Sequence, residues 1–574
     1  MLLRAIAIDY DGTIAQHGTL SPQVREAVVE ARSAGLYVVI VTGRILRELR
    51  RVAGDLSFVD GVVAENGAVI LLSNGHRRLL GPPPFPTLLR ELSKHGIEFV
   101  VGRCLVDMDA DHGETVLSII RRNELPLMIV YNKSRLMVLP RSISKSGGLR
   151  DMLDILGTTI HNTIGIGNAE NDYELLKDCE YGVAVNWAPE FLKLQADFVI
   201  PGDGPDSVAD YIRGISSNRR LPARGMSHRT LVLESKAGQA SFEIANRGRT
   251  VLIAGDSKSG KSWLAGLLCE QMIQQRYTVV VIDPEGDYSS LTTLPNTLLV
   301  GAGGPLPGFA DMIPLFRQGL NLVFNFSHLS FDEKAEYIGR LLPLAARYRR
   351  DRGHPHAVLI DECHYFLKGE IEGDMLDPEL GSYILVSYRP SQLKPEIVDS
   401  AEVLMATRIT SSAEVDAISR GRDPGSGDDW YEMLAGLETT EAVLLPPTEE
   451  ACGAVRRFTV APRLTVHVRH RSKYLENRLR PDQAFVYTRH GCAVGKPVLT
   501  LLELAQSVTQ TAGDVVSGHL ERRDFSHWII NVFNDHELAM ETQTLERQYD
   551  GNRDPEGFAG KLSAFIEQRY RQYG

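Results

Sequence analysis

Runs of four to six mainly apolar residues recur along the chain, at 4–8, 37–41, 251–254, 277–282 and 357–360, and each ends on a polar cluster. Apolar runs this short, with β-branched residues in most of them, predict strands buried on both faces, as in a parallel sheet. Helix-like stretches stand beside them, one over 263–275 and one opened by Ser144-Lys145-Ser146. The expected class is therefore α/β. Between 66 and 140 the pattern changes to strands at 98–101 and 127–131 with a helix near Leu88, entered through Pro82-Pro83-Pro84. That segment reads as an α+β insert. The polar, breaker-rich stretch 216–228 marks a boundary. Residues 463–473, RLTVHVRHRSK, alternate as a strand with one basic face would. Beyond them the pattern is mainly helical, over 499–508, 515–521, 524–533, 536–545 and 559–570, with Asp524 and Asp535 suited to N-terminal caps. The expected division is 1–214 with an insert at about 67–140, a connector at 215–230, a second α/β domain over 231–462, and a mainly helical domain over 463–574.

At 574 residues the chain is too long for a single core. Hydrophobic residues at 43% and charged residues at 24% are those of an ordinary globular protein. No apolar run approaches the roughly 20 residues that span a bilayer, and the first residues lack a signal-peptide pattern, so a cytoplasmic protein without membrane partners is expected. The six cysteines form no C-x-x-C pair, which argues against a disulfide framework or a zinc site. A net charge of -11 excludes a surface that coats nucleic acid everywhere, while leaving room for a local basic groove. His519, His527 and His536 share no ligand spacing with a carboxylate on one helix, so no metal site is expected in the last domain.

Two polar motifs close neighbouring strands of the first domain: Asp9-Tyr10-Asp11-Gly12-Thr13, and Thr42-Gly43-Arg44. Open α/β sheets hold their ligands at such carboxyl ends. Lys145 opens a helix, and Thr163-Ile164-Gly165-Ile166-Gly167 leads into Asn168-Ala169-Glu170-Asn171-Asp172. In this order, with Ala64-Glu65-Asn66-Gly67-Ala68, these segments resemble the haloacid dehalogenase (HAD) superfamily and its Cof-type sugar-phosphate phosphatases. The resemblance implies a Rossmann-like domain with an inserted cap. It also implies that Asp9 is the nucleophile of an aspartyl-phosphate mechanism, that Asp11 is the acid and then the base, and that Thr42 and Lys145 hold the phosphoryl group. Magnesium would lie among Asp9, the Asp11 carbonyl and the last motif, with Asn168 and Asp172 as ligands. Elementary electrostatics agrees, since a carboxylate attacking a phosphate dianion needs a cation and a lysine to offset the repulsion. Asn168 stands where the family has Asp, which removes a formal charge but leaves an amide oxygen able to coordinate.

In the second domain Gly255-Asp256-Ser257-Lys258-Ser259-Gly260-Lys261-Ser262 fits G-x-x-x-x-G-K-[ST] between a strand and a helix. Small residues let successive N–H groups turn onto phosphates at a helix N-terminus, Lys261 reaches the β and γ phosphates of ATP, and Ser262 joins a magnesium shell. Further on, Asp361 and Glu362 follow the strand 357–360, the first suited to magnesium and the second to polarising an attacking water. Together with Asp283-Pro284-Glu285-Gly286-Asp287-Tyr288, these landmarks resemble the HerA/FtsK group of P-loop translocases. Residues 383–393 are similar to the group's sensor strand, with Tyr388 in the place of Gln, and 441–446 to its closing hairpin. The resemblance implies a RecA-like domain, a homo-oligomeric ring with a hexamer favoured, and DNA as a partner. Arg389 and Arg408 are the candidates for completing a neighbouring ATP site. The group's small amino-terminal β-barrel is not visible.

The expected function is thus a magnesium-dependent phosphatase joined to a HerA-like ATPase, acting on a phosphorylated small molecule or a nucleic-acid end. Two alternatives stand beside it: a polynucleotide kinase and phosphatase, and an ATPase regulated by a metabolite-sensing, weakly active HAD domain.

Overall fold

The computed structural model describes all residues except 133, 223–228, 236–239, 247, 368–374, 421, 423–428, 446–454, 466–483, 534–535, 550–553 and 572–574. It forms two compact units. Met1–Val280, Gly308–Asn321 and Glu336–Pro462 make the first, and Val281–Pro307, Leu322–Ala335 and Arg463–Gly574 the second.

The first unit opens with an eight-stranded sheet grown in both directions from Ala5–Asp9. Tyr37–Val41 and Gly61–Ala64 lie on one side of that strand, and Thr163–Gly167, Tyr181–Val185 and Phe198–Ile200 on the other, all parallel. Fully buried Ala, Ile and Val fill these strands, as a sheet covered on both faces requires. The order reverses at Ala5–Asp9, which places the ends of Ala5–Asp9, Tyr37–Val41 and Thr163–Gly167 side by side. Val69–Leu72 and Arg77–Leu79 fall inside the predicted insert but extend this sheet antiparallel. The insert's own layer begins at the helix Pro86–Lys94. It adds the helix Gly113–Arg122 and an antiparallel sheet in the order Leu127–Asn132, Arg135–Pro140, Val106–Asp109, Phe99–Val101. Leu88, Leu92, Val106, Met108, Val116 and Ile119 give it a small core of its own.

In the same unit, Val251–Ala254 lies parallel between Tyr383–Ser387 and Val403–Ala406, and Ala357–Ile360 lies beyond Tyr383–Ser387. Glu441–Leu445 and Arg456–Thr459 continue the sheet as an antiparallel hairpin. The helix after the phosphate-loop sequence runs Lys261–Gln274, two residues earlier than its apolar pattern suggests, because Gly260 at φ +101° supplies the turn.

The stretch read as a connector begins inside the helix Pro205–Asn218, and Leu221 N–H bonds the Met1 carbonyl. The two sheets of this unit meet at a buried polar seam. Asn162 Nδ2 donates to the Gly353 carbonyl (3.1 Å), and Thr158 Oγ1 to that of Arg352 (3.1 Å). His161 stacks on Tyr277 with ring centroids 3.9 Å apart, and Tyr277 Oη donates to Glu180 (2.7 Å). His356 Nδ1 accepts the Thr278 N–H (2.8 Å), which fixes its tautomer so that Nε2 donates to Thr159 Oγ1 (2.8 Å). Thr159 passes its own proton to Asn162 Oδ1 (3.0 Å). These groups stand at the starts of Thr163–Gly167 and Ala357–Ile360, the strands whose far ends carry Asn168 and Asp361.

The second unit holds the helices Leu501–Val508, Gly513–Glu521, Asp524–Trp528, His536–Tyr549 and Pro555–Arg571 around Phe485, Leu504, Phe525, Trp528 and Phe558. Asp524 is not an N-cap. Arg523, left-handed at φ 58°, precedes the helix, and Asp524 instead accepts from His519 Nδ1 (2.6 Å). The predicted basic strand from 466 onward and the predicted cap at Asp535 lie outside the described residues.

Candidate active sites

Asp9 ends the central strand of the first sheet and is 4% exposed. Lys145, the first residue of the helix Lys145–Leu156, reaches it from below: its ammonium donates to Asp9 Oδ1 (2.7 Å) and Asp172 Oδ1 (2.6 Å). Asp172 Oδ2 accepts the N–H groups of Asn168 (2.9 Å) and Ala169 (3.0 Å). Both oxygens of Asp172 are thus engaged, and Asp172 is the counter-charge of Lys145. Thr13 Oγ1 lies 3.4 Å from Asp9 Oδ2, and the Thr42 hydroxyl caps its own loop by accepting the Arg44 N–H (3.1 Å). Asp11 is gripped by Arg44 through two bonds of 2.5 Å.

Burial, and after it the Asp172 charge, push Asp9 above the usual carboxylate range, with Lys145 opposing. Burial works against the Lys145 charge too, but the Asp172 and Asp9 carboxylates win and hold its proton more tightly than usual. One buried cation between two buried carboxylates leaves a net negative pocket. In that pocket Asn168 Oδ1 and Asn171 Oδ1 are buried with no hydrogen-bond partner among the described residues. Orphaned amide oxygens beside a carboxylate are the oxygen donors a hard divalent cation takes, so this set fits magnesium. Among the described residues no group of three His, Cys, Asp or Glu is placed to hold a metal, and the oxygen donors here include two amides.

Glu65 lies in a segment that carried the family resemblance, but the part its own side chain plays had no sequence signal. It sits at φ 53° with its carboxylate buried, accepting the N–H groups of Arg103 (2.8 Å) and Cys104 (2.9 Å), and so pins the insert's hairpin tip to the core. Met137, from the insert strand Arg135–Pro140, comes close to Gly43, where a Cβ would lie 3.2 Å from its sulfur.

The second cluster follows the carboxyl ends of four adjacent parallel strands, which bring together Gly255 to Ser262, Arg408, Arg389, Asp361 and Glu362. The loop is closed on itself. Lys261 Nζ donates to the Asp256 carbonyl (2.8 Å), and Ser259 Oγ bonds Thr407 Oγ1 (2.5 Å). Ser257 and Lys258 are exposed at the turn, Lys258 at φ 62°, and Ser262 begins the helix behind Lys261. Gly255 is obligatory, because a Cβ there would lie 1.9 Å from Thr407 Oγ1. Asp256 Oδ2 accepts from the Thr410 N–H (3.0 Å) and hydroxyl (2.8 Å), and its N–H donates to the Arg408 carbonyl. The Arg408 backbone is therefore held at the loop of its own chain, whereas the Arg389 side chain is exposed. Asp361 is buried and accepts the Glu362 N–H (2.9 Å). Glu362 is left-handed at φ 46°, 3.7 Å from His364, which in turn lies 3.3 Å from Ser387 Oγ at the end of the central strand. Tyr388 bonds Tyr365 through their hydroxyls (3.0 Å).

Residues 6–102 and 90–212 match the family model described as haloacid dehalogenase-like hydrolase, and residues 239–367 match that of the central domain of helicase HerA. The chain is 30% identical over 226 residues to a phosphoglycolate phosphatase of Methanothermobacter thermautotrophicus, covering 37% of this chain and 98% of the relative. It is 28% identical over 236 residues to the 5-amino-6-(5-phospho-D-ribitylamino)uracil phosphatase of Bacillus subtilis, covering 37% of this chain and 95% of the relative. A solved haloacid dehalogenase-like hydrolase from Bacteroides thetaiotaomicron matches 37% of this chain and 99% of its own at 18% identity, with a TM-score of 0.34.

Proposed function

The chain belongs, through its first 212 residues, to the haloacid dehalogenase-like hydrolases and carries a HerA central domain behind them; on that premise we propose a two-site enzyme, a phosphatase for small phosphorylated metabolites joined to an ATP-hydrolysing translocase. The observation that carries the phosphatase half is Lys145 lodged between Asp9 and Asp172. Asp9 attacks phosphorus, and its carboxylate becomes the acyl phosphate as the ester oxygen leaves. Asp11 gives that oxygen a proton and later takes one from the water that cleaves the acyl phosphate. Lys145 and Thr42 hold the phosphoryl oxygens meanwhile. Asp9, the Asp11 main-chain carbonyl and Asn168 would hold magnesium, which when bound would supply the charge neutralisation that attack on a dianion requires. The relatives' names, phosphatases of a phosphorylated hydroxy acid and of a phosphorylated ribityl compound, favour a small metabolite over a nucleic-acid end.

In the second site Lys261 and the loop N–H groups take the ATP phosphates, Ser262 and Asp361 hold the accompanying magnesium, and Glu362 polarises the attacking water. Arg389, exposed beside this site, is the better of the two arginines to enter a neighbouring subunit in a homo-oligomeric ring, and DNA is the proposed track. The decisive experiment measures phosphate release from phosphoglycolate, ATP turnover with and without DNA, and label transfer from ATP to a 5′-hydroxyl oligonucleotide. Asp9→Asn is expected to lose only the first and Lys261→Ala only the second. Transfer of label that depends on Lys261 would replace this reading with a polynucleotide kinase. A second reading, in which the phosphatase fold senses a metabolite and gates the ATPase, is favoured by the buried seam and by Asn168; it predicts ATP turnover that responds to phosphoglycolate in Asp9→Asn.

A further inference from the structure

Resting on the phosphatase reading and deepening it, we propose that Arg44 determines substrate specificity at that site: it is a latch on Asp11 that a second oxyanion, carried on the substrate's leaving group, takes over. Arg44 Nε meets Asp11 Oδ2 and its terminal nitrogen meets Oδ1, each at 2.5 Å. With one lone pair of each oxygen engaged by one planar guanidinium, Arg44 competes for this carboxylate with the ester oxygen that Asp11 has to reach. A group that draws Arg44 away therefore favours turnover.

The surroundings say what moves. The Arg44 backbone is fixed, its N–H on Thr42 Oγ1 (3.1 Å) and its carbonyl accepting the Glu65 N–H (2.9 Å), so only the side chain can shift. Asp11 is held by its turn, with the Gly12 N–H on the Ala15 carbonyl (2.9 Å) and the Gly12 carbonyl taking the Trp187 indole (2.6 Å). The Arg44 and Asp11 side chains keep 29% and 34% of their surface, whereas Lys145 keeps 1% and already serves two carboxylates. With Lys145 assigned to the phosphoryl group, Arg44 is the more exposed cation of the two and is open to a group on the leaving side of the substrate. A guanidinium fork accepts a carboxylate or a phosphate in the same bidentate geometry it offers Asp11, so one oxyanion replaces another at little cost. A neutral leaving group offers no such exchange. The substrates are then phosphomonoesters whose leaving group bears a second carboxylate or phosphate.

The test compares kcat/KM for phosphoglycolate, fructose 1,6-bisphosphate and glycerol 1-phosphate in the wild type, Arg44→Lys and Arg44→Gln, with glycolate as a product inhibitor. The wild type should prefer at least one of the two esters with a second oxyanion over glycerol 1-phosphate by tenfold or more, and which one identifies carboxylate or phosphate as the partner. Arg44→Gln should collapse that ratio at least tenfold, Arg44→Lys should collapse it in part, and inhibition by the matching product should weaken in step. Equal losses on all three esters would mean that Arg44 merely orients Asp11, and would overturn the proposal, as would a wild type that favours glycerol 1-phosphate. Should one variant fail to fold, the other variant and the wild-type ratio together carry the test. Phosphate release that is independent of Asp9, or absent with every ester, would overturn the phosphatase reading itself and this proposal with it.

Discussion

Asn168 is the residue at which this chain departs from the family pattern, and its surroundings say what the departure does. Its amide oxygen is buried without a partner, in a pocket where Asp9 and Asp172 already share one lysine. Asn168→Asp would add a third carboxylate there. With a divalent cation the extra charge is favourable, and without one it is a buried like charge. The expected outcome is about tenfold tighter magnesium binding, or about 1.4 kcal/mol, by calorimetric titration with the metal alone. The melting temperature in chelator should fall at the same time. Lys145→Met acts in the opposite sense: removing the shared cation leaves two carboxylates buried and unpaired, which costs about 3–5 kcal/mol when one partner of a buried pair is lost. Urea denaturation should show that loss, and magnesium should recover part of it.

At the level of elements, the apolar runs marked the strands that bear both sites, because strands buried on both faces have little freedom of composition. Asp9, Thr42, Asn168, the phosphate loop and Asp361 follow such runs directly, which is why they were legible. What was not legible depends on contacts between segments far apart in the chain. Nothing near Glu65 signals that its carboxylate will cap the turn at Arg103, and nothing near Thr407 signals its bond to Ser259, 148 residues away. Asp172 was recognised, but its full engagement by Lys145 and two N–H groups depends on how the turn after Gly167 closes. Asp524 had a capping residue's chemistry and lost the position because Arg523 turned left-handed and His519 claimed its carboxylate. The contact with Thr407 also yields a prediction. Gly255→Ala should abolish ATP binding, since its methyl group would sit 1.9 Å from Thr407 Oγ1. Adding Thr407→Ala should restore part of it, and fluorescent-nucleotide titrations of the two single variants and the double variant would expose a coupling that a general loosening of the loop cannot mimic.

At the scale of the molecule, the seam in the first unit ties the strand that leads to Asn168 to the strand that leads to Asp361 through neutral, buried histidines. Burial pushes the seam histidines His161 and His356 below the ordinary histidine value, and also His354, which is buried beside them with its ring centroid 6.1 Å from that of His356, to about 4. Glu180 pulls the other way at His161, Arg352 adds to the shift at His354, and His161 adds to it at His356. The unfolded chain binds protons at these side chains near pH 6.5 and the folded chain does not, so stability is complete above that pH. It is lost as the pH falls from there towards the folded values. The gap at His354, from about 6.5 to about 4, corresponds to roughly 3 kcal/mol. Urea midpoints taken between pH 7.5 and 4.5 should therefore fall steeply below pH 6.5, and His354→Gln should flatten the curve by about that amount. If the seam joins the two sheets as one cooperative body, probes in each should report the same midpoint at every pH: tryptophan emission from Trp187 beside Gly12 and from Trp263 behind the phosphate loop. Midpoints that separate on acidification would show instead that the histidines serve each sheet locally, and an ATP-driven shift could not then reach Asn168 through Asn162 and Gly353.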